Sequence, residues 1–394
     1  TSGHDNIGIG HEAHTRLTTG IHNIAMGFNA HAQNAVTGNY NVALGFFALA
    51  DDAGGSNNVA IGYTAGRDQI GVSGSVFIGE NAGHSVSTGQ QNIAIGKDAM
   101  NGGTVTGYNN IAIGVKAGDA LTSGYRNVFM GQNAGGAAQG ADFNTAVGDN
   151  ALAANINGQY NACFGLNAGD VTTAGTRLTL LGTAAGRGNI TADGIGTVAV
   201  GYAAYNVGTS GIGNTVVGYE ALDAEDDGDH NTAIGFQALT DQTGVTGTVA
   251  NTAVGYLAGA NITTGVRNVF IGSDVAAGTT NVDRAVAIGY AAMGNANVTA
   301  DGDGTIAIGY TALLALTSGQ YNTAIGYEAL LVEDDGDRNT AIGYQSLTAQ
   351  TGTSGEVGNT AVGYKSGLSV TSGTRNTIVG AEAADALTTG DSNV

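Results

Sequence analysis

The sequence predicts an all-β protein, a parallel β-solenoid (β-roll) of about 23 rungs of 17–20 residues each. The first observation is a glycine that follows a large apolar residue and recurs 22 times, usually every 17 residues. The second is a composition of 68 glycines and no proline, which lets every rung donate backbone hydrogen bonds to the next. The third is the lack of any stretch with helical spacing. These observations predict short stacked strands, because a repeat of this length cannot bury a core alone.

The residues around each repeat glycine form regular columns, numbered here from that glycine as position 0. Position −1 is always large and apolar, position −3 is β-branched in all but one copy, and position −2 is usually alanine. This alternation of large and small residues predicts a strand. Asparagine occupies position −4 in seventeen copies, and alanine occupies position +3 in nineteen, as in the phrase Asn322–Ala329. Stacked asparagines are expected to hydrogen-bond to one another along the axis.

Two further columns carry predictions about packing. A second glycine is common at position −7, as at Gly319, and we expect it to supply the positive φ of a tight turn. Phenylalanine replaces the alanine of position −2 in a few copies, and we expect these rings to fill a space between chains. The copies are Phe77, Phe129 and Phe270.

The repeat is predicted to form one continuous solenoid over residues 1–394, truncated within a repeat at both ends. The segment from Gly201 to Gly272 recurs as Gly309 to Gly380, offset by 108 residues, which indicates a duplication of rungs. We expect the natural polypeptide to continue in both directions, with any anchor, tip or chaperone outside this chain.

The charge balance disfavours two classes of partner. The formal net charge is −20, and such an acidic surface repels nucleic-acid phosphates and anionic lipids. We therefore expect no nucleic-acid binding and no membrane contact by this segment. No run of eighteen apolar residues occurs. The single cysteine, Cys163, excludes an intrachain disulfide framework.

The motifs that resemble catalytic signatures are explained by the repeat. Residues 8–13, 194–199 and 302–307 match the dinucleotide pattern G-x-G-x-x-A, but they lack the following helix that the pattern requires. Cys163 occupies position −2, where it is expected to be a small packed residue. We predict that the chain is not an enzyme, with no catalytic and no cofactor-binding residues.

Two groups of residues are candidate metal ligands. His14 and His31 share position +4, and in a trimer a column facing the three-fold axis would bring three histidines together around an axial metal ion or anion. Carboxylates beside a glycine turn suit calcium, although the full calcium-loop spacing is missing. These carboxylates are Asp226, Asp227, Asp229, Asp334, Asp335 and Asp337. The alternatives are a polar packed rung for the histidines and solvated turns for the aspartates.

At the phrase N-x-A-I-G-x-x-A, present at 92–99 and 339–346 except that Ser346 replaces the last alanine, the chain resembles the head repeats of trimeric autotransporter adhesins. It is equally similar to the A-I-G repeats of many phage tail-fibre proteins. The resemblance covers essentially the whole chain, and it implies a parallel β-roll, usually of three chains about one axis. The rungs here are a few residues longer than the adhesin head repeat.

The sequence therefore predicts a structural and adhesive fibre segment, outside the cell on a surface appendage or on a virion tail. We expect a homotrimer, because alanine-rich columns bury little apolar area within one chain. A cell-surface receptor or glycan would be bound through regions outside this segment. The alternative is an ice- or surface-binding solenoid that acts through a threonine-bearing face. The threonines at position −3 are Thr215, Thr232, Thr252, Thr323, Thr340, Thr360 and Thr377.

Overall fold

The computed structural model describes residues 3–243, 245–294, 298, 302–351 and 355–394. The chain divides into two compact units, Thr1–Gly196 and Thr197–Val394. Within the described ranges, strands and turns account for the regular structure and there is no α-helix. Residues 1 and 2, where the repeat is expected to begin within a turn, lie outside those ranges.

The first unit is a ladder of parallel three-residue strands, one before each repeat glycine. Each strand pairs with the next in the chain and in register, so that Ala60 lies between Ala43 and Phe77. The strands are β1 (Ile7–Ile9), β2 (Ile24–Met26), β3 (Val42–Leu44), β4 (Val59–Ile61), β5 (Val76–Ile78), β6 (Ile93–Ile95), β7 (Ile111–Ile113), β8 (Val128–Met130), β9 (Thr145–Val147), β10 (Ala162–Phe164) and β11 (Thr179–Leu181).

The second unit repeats this architecture and adds two short side ladders. Its main strands are β12 (Val198–Val200), β13 (Thr215–Val217), β15 (Thr232–Ile234), β17 (Thr252–Val254), β18 (Val269–Ile271), β19 (Val286–Ile288), β20 (Ile306–Ile308), β21 (Thr323–Ile325), β23 (Thr340–Ile342), β25 (Thr360–Val362) and β26 (Thr377–Val379). The side ladders pair β14 (Gly228–Asp229) with β16 (Gly247–Thr248), and β22 (Gly336–Asp337) with β24 (Gly355–Glu356). The predicted parallel β-solenoid is confirmed, with about 21 turns rather than about 23.

The core of each unit lies on the side of the sheet to which the middle residues of the strands point. In every three-residue strand except β1 this residue, at position −2, is buried, while its two neighbours point outward. The alanines of position +3, such as Ala99 and Ala117, are also fully buried and close the core from the opposite side. The core is therefore narrow and is built mostly from small side chains.

The bulky residues at position −2 correct one prediction. Phe77, Phe129 and Phe270 are fully buried inside their own chain and do not fill a space between chains. They fit because the residues at position +4 on both sides of the ring are small. A Cβ built on Gly118 or Gly135 would lie 3.1 or 2.6 Å from ring carbons of Phe129.

Where position −2 is alanine or cysteine on two successive rungs, the residue of position +4 between them is large. Leu152, between Ala146 and Cys163, and Met100, between Ala94 and Ala112, are both fully buried. On these rungs bulk is exchanged between the two core columns, which satisfies the close packing of protein interiors. Val216, between the buried Tyr205 and Leu222, is an exception in which both columns are bulky.

The asparagine column joins each rung to the next through the backbone. The Oδ1 atom of Asn127 accepts a hydrogen bond from the backbone N–H of Asn144 at 2.9 Å, and its Nδ2 donates to the carbonyl of Ala141 at 2.6 Å. Side-chain amides also pair directly at several rungs, as between Nδ2 of Asn127 and Oδ1 of Asn110 at 3.0 Å. The expected amide ladder therefore exists, but it is combined with side-chain bonds to the backbone of the following rung.

Glycine occupies positions 0 and −7 for two different physical reasons. The repeat glycine has φ near +135°, as in Gly79 with φ +132°, and a Cβ there would lie 2.7 Å from the carbonyl oxygen of Gly96. Gly319, at position −7, does not have a positive φ, so that prediction was wrong. It is glycine because a Cβ would lie 2.9 Å from Nδ2 of Asn322 and would press on the backbone of Gly336.

Candidate functional site

The most extensive candidate site is an outward-facing surface rich in aliphatic and aromatic side chains, here called the outer face, formed by positions −3, −1 and +1. In β6, Ile93 and Ile95 flank the buried Ala94 and are half-buried. On another rung Ile61 is 37% exposed, and Tyr63, at position +1, is 54% exposed. Because the strands alternate, large aliphatic side chains that would ordinarily form a core are directed away from the chain.

Aromatic residues at position +1 stack on one another along the outer face. Successive rings lie 4.9 to 5.4 Å apart with interplanar angles of 6° to 19°. The stacks are Phe28, Phe46 and Tyr63 in the first unit, and Tyr202, Tyr219, Phe236 and Tyr256, then Tyr290, Tyr310, Tyr327, Tyr344 and Tyr364, in the second. Since each ring face covers its neighbour, the stacks offer ring edges and hydroxyl groups rather than open faces for a stacking ligand.

The threonines at position −3 form ladders on the same face. Thr232 lies in register between Thr215 and Thr252, and four more threonines continue in the same way from β21 to β26. The neighbouring outward column, at position −1, is aliphatic, as in Val217 and Ile234. On these rungs the outer face therefore carries one column of hydroxyl groups beside one column of aliphatic side chains.

The histidines of position +4 lie in the core column of the first unit. His31 is 1% exposed and occupies the place that Leu49 takes on the next rung, and its Nδ1 lies 3.3 Å from Nε2 of His14. Burial, together with the neighbouring His14, lowers the pKa of His31 to about 3, so the ring is neutral. Burial also lowers the pKa of His14. This placement agrees with the packed polar rung and puts the buried His31 out of reach of a symmetry axis outside the chain.

The acidic loops of the second unit bring together a different set of residues from the predicted one. Carboxylate oxygens of Glu225, Asp226 and Asp227 lie within 4.8 Å of one another, and the duplicated loop repeats this with Glu333, Asp334 and Asp335. Burial raises the pKa of Asp227 and of Asp335, with repulsion from the neighbouring aspartate second.

The last aspartate of each predicted set has a structural partner. Asp229 accepts a hydrogen bond from the backbone N–H of Ile212 at 2.8 Å, and Asp337 accepts one from Gln320 at 2.8 Å. Each carboxylate therefore joins its loop to the preceding rung. The binding of calcium by the remaining acids stays a prediction.

Sequence reasoning missed the buried glutamate at the start of each loop. Glu225 is fully buried; its Oε1 accepts from the backbone N–H of Gly228 at 2.8 Å and its Oε2 from Nε2 of Gln242 at 2.6 Å. The Oε1 of Gln242 accepts from Asn251 at 3.0 Å, and Glu333 starts the same network in the duplicate. Burial raises the pKa of both glutamates. The burial of Glu225 could have been predicted from its column. It occupies position +7, where other rungs have leucine, as at Leu121 and Leu316.

The residues considered for catalysis are packed as expected from the repeat. Cys163 is fully buried, and burial raises the pKa of its thiol to about 12, so the thiolate nucleophile does not form at neutral pH. The three dinucleotide-like segments overlap strands β1, β12 and β20, and turns rather than helices follow these strands. A surface depression in the first unit has both an acidic residue and an arginine in its lining. It is lined by Glu12, Thr15, Arg16, Asn29, Ala32 and Gln33.

The fold and the outer face define the chain as a tandem-repeat parallel β-solenoid with a long exposed apolar surface. No known family model matches the sequence, and no curated protein matches it. Within the described residues, no helix is long and apolar enough to cross a membrane.

Proposed function

We propose that this chain is a segment of an extracellular fibre, on a cell-surface appendage or a virion tail, which holds a receptor-binding tip at a distance. The observation that carries the proposal is the unbroken columnar register of both units, in which each main strand pairs in parallel with the next. A spacer needs length and rigidity, and stacked rungs supply both because each rung is fixed by its two neighbours. The similarity of the A-I-G phrase to adhesin heads and phage tail fibres supports the same role.

The proposed assembly is a parallel homotrimer in which the outer faces meet. Exposed contiguous apolar surface of this size is unusual on a monomer and marks an interaction site. Eleven rungs at about 4.8 Å, with three columns about 15 Å wide, give the outer face of each unit on the order of 800 Å². Aliphatic and aromatic side chains make up most of it, between the threonines of position −3 and polar residues of position +1 such as Glu80 and Lys97. The area is comparable to one partner's share of a standard protein interface. Three copies about a cyclic axis would cover these columns without open-ended growth.

The assembly is tested by its mass in solution. We expect sedimentation equilibrium at micromolar concentration to give three times the 38.9 kDa chain mass. The double variant Ile95→Glu/Ile113→Glu places charges in adjacent rungs of the outer face and should yield monomers. Ser123→Glu, on an exposed turn outside that face, is the control for added charge. A folded monomer of the unchanged chain would exclude the homotrimer.

The spacer role is tested by removing material in whole repeats. Deletion of residues 115–131, which is one complete 17-residue period, should leave folding and assembly intact because each remaining column stays in register. Deletion of residues 115–123 breaks the period and should abolish folding. We also expect no glycan or ester turnover by this segment. Turnover that is lost with one point mutation would refute a purely structural role.

The alternative function is binding to ice or to another ordered surface through the threonine ladders. The in-register threonines of β21, β23, β25 and β26 favour it, whereas the aliphatic neighbouring column weakens it. Inhibition of ice recrystallisation at micromolar concentration that Thr340→Glu abolishes would favour this alternative over the spacer.

A further inference from the structure

We propose that a depression beside Tyr108, on the surface of the first unit, binds one neutral pyranose ring of a carbohydrate. The depression is formed by positions −8, −6 and −5 of two rungs, so it lies outside the positions that define the outer face. It needs only residues of the first unit and does not rest on the proposed fibre function.

The lining of the depression is uncharged and rich in hydrogen-bonding groups. The depression has a volume of about 220 Å³, and it is lined by residues that precede β6 and β7 on successive rungs. These residues are Thr88, Gln90, Gln91, Thr106 and Tyr108. The two carboxamides offer donors and acceptors. The Thr106 hydroxyl donates to the carbonyl of Thr122 at 3.4 Å and is left as an acceptor, whereas the other two hydroxyls can act as either. Such a lining is complementary to sugar hydroxyls, which also both donate and accept.

The two carboxamides of the lining are free to bind a ligand. Gln90 and Gln91 are exposed, and their side chains have no hydrogen-bond partner among the residues that the structure describes. Their backbone is fixed by the neighbouring rungs. The N–H of Gln91 donates to the carbonyl of Ser73 at 3.0 Å, and the carbonyl of Gln90 accepts from the N–H of Asn109 at 3.1 Å. A fixed backbone reduces the ordering that binding would require.

Tyr108 offers a ring face to the depression because it is the first ring of a stack. Tyr125, on the next rung, covers one face of the ring, with centroids 5.2 Å apart and an interplanar angle of 7°. The opposite face is directed toward the preceding rung, where Gln90 occupies the same position, −6. A pyranose in the depression would lie against this face. The C–H groups on one side of a pyranose are apolar, and they pack on the electron-rich face of an aromatic ring.

The other end of the same stack is closed by a cation. From Tyr125 the ring contacts continue through Phe143 to Tyr160, with centroid distances of 5.2 and 5.0 Å. The guanidinium of Arg177, on the following rung, lies over the Tyr160 ring at 5.9 Å from its centroid. Tyr160 is 51% exposed and Tyr108 is 42% exposed. The two tyrosines therefore differ in the availability of a ring face rather than in exposure, which makes Tyr160 a matched control.

The lining and its size determine the class of sugar. None of the five lining side chains is charged, and the chain has a formal net charge of −20. A uronic or sialic acid would bring a carboxylate to this acidic chain without a cation in the lining, so a neutral sugar is favoured. The depression is smaller than the sites of drug-sized ligands, which suits one ring. For so small a ligand we expect a dissociation constant on the order of 1–10 mM.

The test is saturation-transfer difference NMR of the whole chain with the methyl glycosides of β-glucose, β-galactose and α-mannose. We expect at least one of them to bind, with the largest transfer to the C–H protons on one side of its ring. Tyr108→Ala and the double variant Gln90→Ala/Gln91→Ala should each weaken binding by about fivefold or more. Tyr160→Ala removes a ring from the other end of the stack and should bind as the unchanged chain does. Urea unfolding of each variant confirms that the chain remains folded.

Further measurements separate this depression from other rings on the surface. Tyr63→Ala, which removes an exposed ring of the outer face, should leave binding unchanged. Methyl β-glucuronide should bind more weakly than the neutral glycoside. The proposal is overturned if none of the three neutral glycosides binds, or if Tyr108→Ala and the double glutamine variant bind normally. It is also overturned if Tyr160→Ala or Tyr63→Ala weakens binding as much as Tyr108→Ala does, or if the glucuronide binds as tightly as the neutral sugar.

Discussion

The ring of Phe129 fills the space that a side chain on Gly135 would need, since a Cβ on that glycine would lie 2.6 Å from the ring carbon Cδ1. This relationship recurs at Phe77, between Gly66 and Gly83, and at Leu180, between Gly169 and Gly186. Bulk in one core column is exchanged for bulk in the other. On these rungs different pairs of residues therefore fill a similar interior space.

Replacing Phe129 should show this exchange directly. Phe129→Ala leaves a cavity between two glycines and should destabilise the local rungs by about 3–5 kcal/mol. Adding Gly118→Leu and Gly135→Leu should restore much of that loss, because other rungs place leucine in the same left-handed conformation, as Leu152 does with φ of 55°. Urea unfolding of the single and triple variants measures both effects. Gly135→Leu alone, with Phe129 retained, should destabilise, because the added side chain would clash with the ring of Phe129. A neutral result would contradict the exchange of bulk between the two columns.

Asn127 provides a test of the asparagine column. Asn127→Asp keeps the acceptor for the N–H of Asn144 but removes the donor to the carbonyl of Ala141 and buries a charge. We expect it to destabilise more than Asn127→Ala, which should cost about 1–3 kcal/mol for each unsatisfied backbone group. Thermal unfolding at pH 7 shows which of the two variants is less stable. An Asn127→Ala variant as stable as the unchanged chain would mean that the side-chain hydrogen bonds of Asn127 contribute nothing.

Asp52 should make the first unit less stable as pH rises. Burial raises the pKa of this carboxyl to about 6, although the N–H of Gly55 donates to it at 2.9 Å. The folded pKa exceeds the ordinary value of 3.8, so the contribution of Asp52 to stability is greatest below pH 4 and is lost as pH rises through 6, by up to about 3 kcal/mol. Asp52→Asn should therefore stabilise at pH 7 and make little difference at pH 4. Urea midpoints of both proteins at each pH measure this difference, and a difference independent of pH would contradict it.

His31 should have the opposite dependence on pH. Its folded pKa of about 3 lies below the ordinary 6.5, so its contribution to stability is complete above pH 6.5 and is lost as pH falls. At pH 5 the loss is about 2 kcal/mol. His31→Leu, which copies the neighbouring Leu49, should remove this loss, whereas His11→Leu on the exposed surface should keep it. Urea unfolding between pH 7 and 5 compares the three proteins; an unchanged slope in His31→Leu would refute the assignment.

The repeat period and its columns could be read from the sequence because each residue type recurs at a fixed place. Asparagine recurs at position −4 on most rungs, and glycine recurs at position 0. Stacking in register is the arrangement that gives all copies of a residue the same surroundings. The acidic loops were only partly predictable. The aspartates of the loops were identified, but the burial of Glu225 and its contact with Gln242 depend on a neighbouring rung seventeen residues away.

The sequence by itself determined the all-β class, the parallel register and the near-constant rung length, since these follow from periodicity and backbone hydrogen bonding. Only the tertiary structure decided which side of each strand is inside. The alternation of large and small residues in a three-residue strand is compatible with burial of either face. Isoleucine would ordinarily be expected on the buried face. Closure of each rung by the alanines of position +3 leaves a space that fits alanine at position −2 with one larger side chain nearby. The large residues of positions −3 and −1 are therefore directed outward, which is why Phe129 is core and Ile95 is surface.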